Sequence, residues 1–456
     1  MPSTLLRPLI LCPALLALLV GCRLDGEETP PPPTGGTSNA HFFLPTGEPD
    51  NTAAPSLVTD ATGGLHAVYP AYAGGGAYYA YCGAGCQASD DVQVVRIDTA
   101  GTVGNAMIAL DANDHPQLLL SSSQTVIYAS CMGSCTDPNG WSTAEIIHHG
   151  GDREVTGEAF ALDAAGRPRF VMHTYVAYLG IGQKAPETHY VTCDDGCLDP
   201  GAWTVSKIAD QIWRSGSLVI DHQGVPHLGT VALVEDPQEG TQYVAAYATC
   251  PGDCTRAEAW LAHGISAAFQ NELDAVATKP AVSLALTQGG GARLAMLGED
   301  TSHQRRIEYW ACDGGCADSD WRGSILLDGQ GIGAGIDLAL DAADHPRFAY
   351  TYDYNIFLAH CDEGDCTLPD AAWGLSRVEA GEEMPPDEIF LYPNCTVAAW
   401  FLHSPSLALT PSGLPRVGYQ ARDISGGWNN PDPVNTPDCV AGTDMTWSRL
   451  TTMSAL

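Results

Sequence analysis

The chain has 456 residues, with 54 acidic against 20 basic side chains and a formal net charge of −34. Only three lysines occur, Lys184, Lys207 and Lys279. A surface of that sign repels phosphate backbones, which excludes nucleic acid as a partner and stays compatible with Ca²⁺.

The first residues read MPSTLLRPLILCPALLALLVGC. Arg7 precedes an apolar run from Leu9 to Val20, too short to span a bilayer and of signal-peptide length. The run ends in Leu19-Val20-Gly21-Cys22, which resembles the lipobox of bacterial lipoproteins. That resemblance implies residues 1–22 as a lipoprotein signal peptide and Cys22 as the lipidated residue. Arg23, where an aspartate would favour inner-membrane retention, implies an outer-membrane address in the cell envelope. Residues 23–38 are polar and rich in Pro and Gly, the composition of a flexible tether. No later segment is long and apolar enough to cross a membrane as a helix.

Residues 39–456 carry strand signals throughout. AHFFLP (Ala40 to Pro45) comes first. Seven segments of one layout follow: LVTDATGGLHAVY, IALDANDHPQLLL, ALDAAGRPRFVMH, LVIDHQGVPHLGT, LALTQGGGARLAM, LALDAADHPRFAY and LALTPSGLPRVGY. Each is an alternating apolar run, a turn of the form D-x-x-G/D, and a second run. The aspartate caps the turn and glycine supplies positive φ. Spacings run from 51 to 69 residues. A third run follows in six units: YYAY, VIYAS, THYVT, AAYAT, IEYWA and IFLAH. Trp141, Trp203, Trp260, Trp321 and Trp373 then introduce a fourth. The first unit lacks this tryptophan and has Asp90-Asp91 near its place. Four short antiparallel strands at this period predict an all-β, seven-bladed β-propeller. A β-sandwich array is the structural alternative, and alternation in twos argues against helical repeats. The seventh unit has strands at Ser406 to Thr410 and Pro415 to Tyr419, a candidate third in MTWSRLTTM, and then stops. His41 to Leu44 is expected to supply its fourth strand, closing the ring without an exposed edge.

Sixteen cysteines occur, of which Cys12 and Cys22 fall in the leader. Twelve form close pairs: Cys82/Cys86, Cys131/Cys135, Cys193/Cys197, Cys250/Cys254, Cys312/Cys316 and Cys361/Cys366. Cys395 and Cys439 remain and are read as a seventh pair. Structural zinc draws on four ligands, and no histidine recurs beside these pairs. Redox catalysis would not need so many copies. Local disulfides in an oxidising compartment are the reading.

The D-x-x-G-x-P/H turn, its apolar strand and the aromatic x-Y strand resemble the sialidase-like propellers of the BNR-repeat group, over about residues 40 to 453. That family places an Asp-box, S-x-D-x-G-x-x-W, between the third and fourth strands. Here the turn holds C-x3-C and then Trp, which on this resemblance replaces the Asp-box hydrogen bonds. The family's catalytic arginines, tyrosine–glutamate pair and aspartate find no residue-by-residue match, so sialidase activity is not implied.

In such a blade the first–second and third–fourth turns share one face, here uniform and stapled. The opposite face carries variable stretches: HHGGDREV (148–155), DQIWRSG (210–216), LVEDPQEGTQ (233–242), GEDTSHQRR (298–306) and TYDYN (351–355). Variable loops on a rigid scaffold are where binding surfaces are built. Arg153, Arg214, Arg305, Arg306 and Arg422 fall there, suited to carboxylates or sulfates, and Trp213 is expected to stack on a sugar. No metal set or cofactor is read, and no catalytic residue is assigned. His115 and His345, in matching D-H-P turns, are repeat features. The expected function is a monomeric cell-surface recognition module for a glycan or a protein. A glycosidase or polysaccharide lyase, with a carboxylate pair in the central funnel, is the first alternative. A structural envelope or assembly protein is the second.

Overall fold

The structure, a computed structural model, describes residues 39–46, 51–71, 75–175, 184–236, 240–268, 279–300, 302–317, 319–384, 400–423 and 445–456. The leader, the tether, and the expected seventh pair Cys395 and Cys439 lie outside them. The described strands form seven antiparallel sheets. The inner strand of each sheet touches that of the next, and the seventh touches the first. The fold is therefore a seven-bladed β-propeller. The inner strands of blades 1, 2, 4, 5, 6 and 7 are Ser56–Thr59, Val103–Leu110, Ile212–Ile220, Val282–Leu286, Ile332–Leu340 and Trp400–Leu409. In blade 3 the inner strand is broken into Arg153–Glu154 and Phe160–Leu162. Ala40–Phe43 pairs antiparallel with Met445–Thr452, Ala40 opposite Thr452, so the N-terminal strand completes blade 7.

The repeated turns hold as Asx-turns. Asp60, Asp111, Asp163, Asp221 and Asp341 each accept two backbone N–H groups at 2.7–3.0 Å, two and four residues on. Thr287 and Thr410 do the same with one, from Gly291 and Leu414. Burial by itself would raise the carboxyls of Asp60, Asp111, Asp221 and Asp341. The hydrogen bonds outweigh it and hold them below the ordinary aspartate range. The third residue after each turn residue has positive φ: Gly63, Gly166, Gly224, Gly290 and Gly413, with Asp114 and Asp344 in the two D-H-P turns.

Six disulfides close the third–fourth turns: Cys82–Cys86, Cys131–Cys135, Cys193–Cys197, Cys250–Cys254, Cys312–Cys316 and Cys361–Cys366. The two ends of each staple differ. The first cysteine stands at or just past the end of the third strand and is fully buried. The second lies in the turn outside the strands, where Cys86 and Cys316 are buried while Cys135, Cys197, Cys254 and Cys366 are half-buried. All twelve are bonded in pairs, so none of them, Cys86, Cys135, Cys254, Cys316 and Cys366 included, is a thiolate that could hold a ligand. The expected uniformity of this face needs correction in two blades. In blade 5 the second cysteine itself is left-handed, Cys316 having φ of 50°. In blade 1, which lacks the tryptophan, the Asp91 carboxylate takes over after Cys86 and accepts the Gln87 and Ala88 N–H groups at 2.9 and 3.0 Å.

In the other five the tryptophans complete each staple. The Nε1–H groups of Trp141, Trp203, Trp260, Trp321 and Trp373 donate to the carbonyls of Cys135, Cys197, Cys254, Cys316 and Cys366 at 2.9–3.3 Å. Each indole also meets, edge-on, a tyrosine on the third strand of the preceding blade. The pairs are Tyr79–Trp141, Tyr128–Trp203, Tyr190–Trp260, Tyr247–Trp321 and Tyr309–Trp373, with centroids 4.8–5.5 Å apart. One residue type thus ties the staple to its own blade and to its neighbour, each aromatic pair contributing about 1 kcal/mol beyond its burial. In blades 3, 5 and 6 an arginine six residues after the turn residue, Arg169, Arg293 or Arg347, holds the disulfide loop. Arg169 donates to the Cys193 carbonyl and to Asp194, and Arg347 to Asp341 and Asp362.

Expected loop boundaries move in several blades, since residues 233–236 and 240–242, and 351, 352 and 355, belong to strands. DQIWRSG is not a connecting loop, because residues 212–216 belong to the inner strand of blade 4. Ile212 and Trp213 are buried, which pulls that stretch into the sheet.

Candidate functional site

Each inner strand runs from the variable face to the stapled face, so positions can be counted back from the turn residue. The fourth residue before it is Ser56, Ser217, Ser283, Asp337 or Ser406 in five blades. These small polar groups reach sideways. Ser217 Oγ accepts from the Leu284 N–H at 2.5 Å, Ser283 Oγ from Leu338 at 2.9 Å, and Asp337 Oδ2 from Leu407 at 2.7 Å. Each therefore bonds the backbone of the next blade around the channel. Glu158, from blade 3, crosses this ring: it accepts the Ser56 hydroxyl proton at 2.8 Å and pairs with Lys279, whose side chain is 1% exposed. The hydroxyl of Ser283 donates to Asp337 Oδ1 at 3.0 Å. Asp337 keeps some surface yet sits deep in the ring. That burial first, and the Glu158 charge second, push its carboxyl up to about 7. At this level hydrogen bonds thus link blade 4 to 5, 5 to 6 and 6 to 7, and Glu158 links blade 3 to blades 1 and 5.

Two residues nearer the variable face the inner strands bulge. Gly157, Ser215, Gly335 and Ser404 occupy equivalent positions and have φ of 68°, 49°, 85° and 56°. Ladder register shifts there in blades 4, 6 and 7. Left-handed serines are strained backbone, and strain of this kind clusters at functional sites.

Above the bulge, blades 3 and 4 assemble a polar cluster. The hydroxyl of Thr156 accepts the Ser215 N–H at 2.8 Å and lies 2.9 Å from His173 Nε2. Arg153 donates to Thr174 Oγ1 and Glu187 Oε2, both at 3.1 Å. His189 Nε2 lies 3.7 Å from Glu187, and Glu154 3.8 Å from His173. Arg214 is buried, with its guanidinium 5.8 Å from the Tyr243 ring centroid. Burial, then the Arg214 and Arg153 charges, lower the His173 imidazole to about 3 against the pull of the Thr174 carbonyl. Burial and Arg153 lower His189 to about 4. At neutral pH the cluster thus sets two guanidinium groups and two uncharged imidazoles beside the carboxylates of Glu154 and Glu187, with Arg214, His173 and His189 buried.

Of the residues singled out in the sequence, Arg153 and Arg214 come together here. Trp213 packs inside, 6% exposed, against Trp260. The indole serves the core because it lies on the inner strand rather than in a loop. Arg305 and Arg306 sit on the blade 5 hairpin, Arg305 donating to the Ile332 carbonyl and Arg306 to Asp300. Arg422 is exposed on blade 7 opposite Phe401. Burial and Arg422 lower His403, one residue before the blade 7 bulge, to about 4. His173, His189, Glu158, Lys279 and Asp337 were not singled out, although counting back from each turn exposes Asp337 among serines. Among the described residues one group brings three metal-ligand atoms together, Asp341, His345 and Asp362 on the stapled face. Arg347 already bridges its two carboxylates.

No family model matches the chain, and no curated protein matches it in sequence. Solved structures align with the chain at low identity. A polysaccharide lyase, Uly1, aligns over 90% of this chain and 92% of its own at 9% identity and a TM-score of 0.46. An α-L-arabinanase of Penicillium chrysogenum bound to arabinobiose aligns over 75% and 97% at 9% identity and a TM-score of 0.46. A Dyadobacter fermentans protein of unknown function aligns over 91% and 98% at 11% identity and a TM-score of 0.45.

Proposed function

We propose that this chain is a lipid-anchored envelope protein whose propeller binds an acidic polysaccharide across its variable face. The observation that carries the reading is the meeting of Arg153, Arg214, His173 and His189 above a strained bulge, on the face that the staples leave variable. Forked cations suit carboxylate and sulfate, and neutral imidazoles suit the adjoining hydroxyls. The lipobox-like Cys22 would fix the protein to the outer membrane. The neighbours that process polysaccharide and arabinan accord with a saccharide ligand without arguing for one.

A second reading, hydrolysis of that glycan, rests on two carboxyl groups between the inner strands, Glu158 and Asp337. Glu158 is paired with Lys279, and Asp337, within reach of its charge, is pushed up to about 7. Acid and base roles need two carboxyl groups in different surroundings, and here one is ion-paired while the other is buried. The test is a panel of neutral, uronate-containing and sulfated oligosaccharides, read for binding and then for new reducing ends. Retention of acidic sugars that Arg153→Gln weakens at least tenfold supports the reading. Equal retention of neutral sugars, or no effect of the substitution, overturns it. New reducing ends that Asp337→Asn abolishes would establish the second reading.

A further inference from the structure

The variable face carries a second feature, on blades 6 and 7. The hairpin between the second and third strands of blade 6 turns on two residues, Asp353 and Tyr354, with Tyr352 opposite Asn355. Both turn residues have positive φ, 47° and 59°. That is the turn for which Asn-Gly or Asp-Gly is strongly preferred, because a side chain at the second position is strained. The chain elsewhere puts glycine, aspartate, serine, histidine or cysteine at left-handed positions, and Tyr354 is the one aromatic residue so placed among the described residues. The strain does not bury the ring: Tyr354 is 54% exposed. Its ring lies flat on Phe401 of blade 7, with centroids 3.9 Å apart and planes 9° from parallel. The Leu402 N–H donates to the Tyr354 carbonyl at 2.9 Å and the Asp353 N–H to the Gly331 carbonyl at 2.8 Å, so the hairpin tip is fixed in place. Phe401 faces Arg422 across the ladder.

We infer that the stacked pair Tyr354–Phe401 is a platform for the apolar face of a pyranose ring, a subsite for a sugar distant from the Arg153–Arg214 cluster. This rests on the glycan-binding reading given above. The distribution of exposed apolar side chains favours a saccharide over a protein as occupant. Among the described residues, the large exposed hydrophobic side chains of the variable face are Tyr175, beside the blade 3 cluster, and Tyr354 on blade 6. They are separate aromatic surfaces, on blades three apart in a ring of seven. A protein partner wants a contiguous apolar patch. A polysaccharide presents isolated apolar faces separated by hydroxyls and, in an acidic chain, carboxylates. The ligand is then a chain of several sugars lying across the channel mouth, and the platform adds affinity only for chains long enough to reach it.

The experiment is affinity electrophoresis of the full chain in gels carrying polygalacturonate, alginate, hyaluronan or chondroitin sulfate, together with thermal melts. Tyr354→Gly is the variant, since glycine removes the ring and suits the turn. It is expected to melt no lower than the parent and to bind the retarding polymer about tenfold more weakly, the loss set by one stacking contact. Oligomers of two sugars of that polymer should not distinguish the variant from the parent. A lower melt with unchanged retardation would show that the ring serves packing and overturn the platform. Retardation lost in Arg153→Gln but kept in Tyr354→Gly would overturn the platform and leave the glycan reading standing. Retardation in none of the gels would overturn both.

Discussion

Ring closure depends on a buried ion pair whose removal has a calculable effect. Arg449, on the third strand of blade 7, forks onto Glu379 at the end of blade 6, with Nε–Oε2 2.6 Å and Nη2–Oε1 2.7 Å. Their side chains are 2% and 8% exposed. The Tyr419 hydroxyl donates to the same carboxylate, His41 of the N-terminal strand lies 3.5 Å from it, and the Phe43 ring sits 4.5 Å from the guanidinium carbon. Arg449→Met keeps the volume and strands the Glu379 carboxylate. Breaking a buried pair from one side costs about 3–5 kcal/mol. At about 2.1 cal/mol/K per residue, a domain of roughly 400 residues loses about 1 °C of melting temperature for each 0.8 kcal/mol, so the variant should melt about 5 °C lower. Arg449→Met combined with Glu379→Leu replaces both charges by apolar groups and should recover most of that loss. Differential scanning calorimetry of parent, single and double variants decides it. A single variant within about 1 °C of the parent, or a double variant no better than the single, would refute the argument.

Replacing Cys193 and Cys197 together by serine opens a loop of sequence separation 4 and should cost about 2 kcal/mol, read as a melt about 2–3 °C lower; a drop beyond about 8 °C would mean the staple does more than limit the unfolded chain. Asp337 holds its proton in the folded state up to about pH 7, whereas an unfolded aspartate loses it near 4. Its contribution is therefore fully present below about pH 4 and is lost as pH rises through about 7. The melting temperature of the parent relative to Asp337→Asn should fall across that window, and a pH-independent difference would contradict the assignment.

The propeller is legible in the sequence because its signals are local. An aspartate and a glycine three residues apart, a cysteine pair and a following tryptophan each fold within their own turn, and repetition makes them visible. The closing strand is legible through an absence, the missing fourth strand after MTWSRLTTM. The inner strands are harder. Their start in blade 4 reads as a loop, since Asp210, Arg214, Ser215 and Gly216 surround Trp213 with polar and flexible residues. The bulge at Ser215 is what admits them to a strand. His173 and His189 sit mid-strand, where a lone histidine carries no periodic signal, and only pairing brings them to Arg153. Glu158 and Lys279 belong to different blades and recur in none.

Closure by the N-terminal strand also sets an order of assembly. Blades 1 to 6 draw their strands, and each disulfide its partners, from short stretches of chain, whereas Ala40 must wait for Thr452. Contacts so distant in sequence form late, because the intervening loop is costly to close. Until then the chain carries an unmated strand at one end and a blade with an open edge at the other. Two such chains at high concentration are complementary, and each can lend its first strand to the other. Slow dilution during refolding should therefore yield monomers, and crowded refolding should yield strand-exchanged dimers with every blade intact.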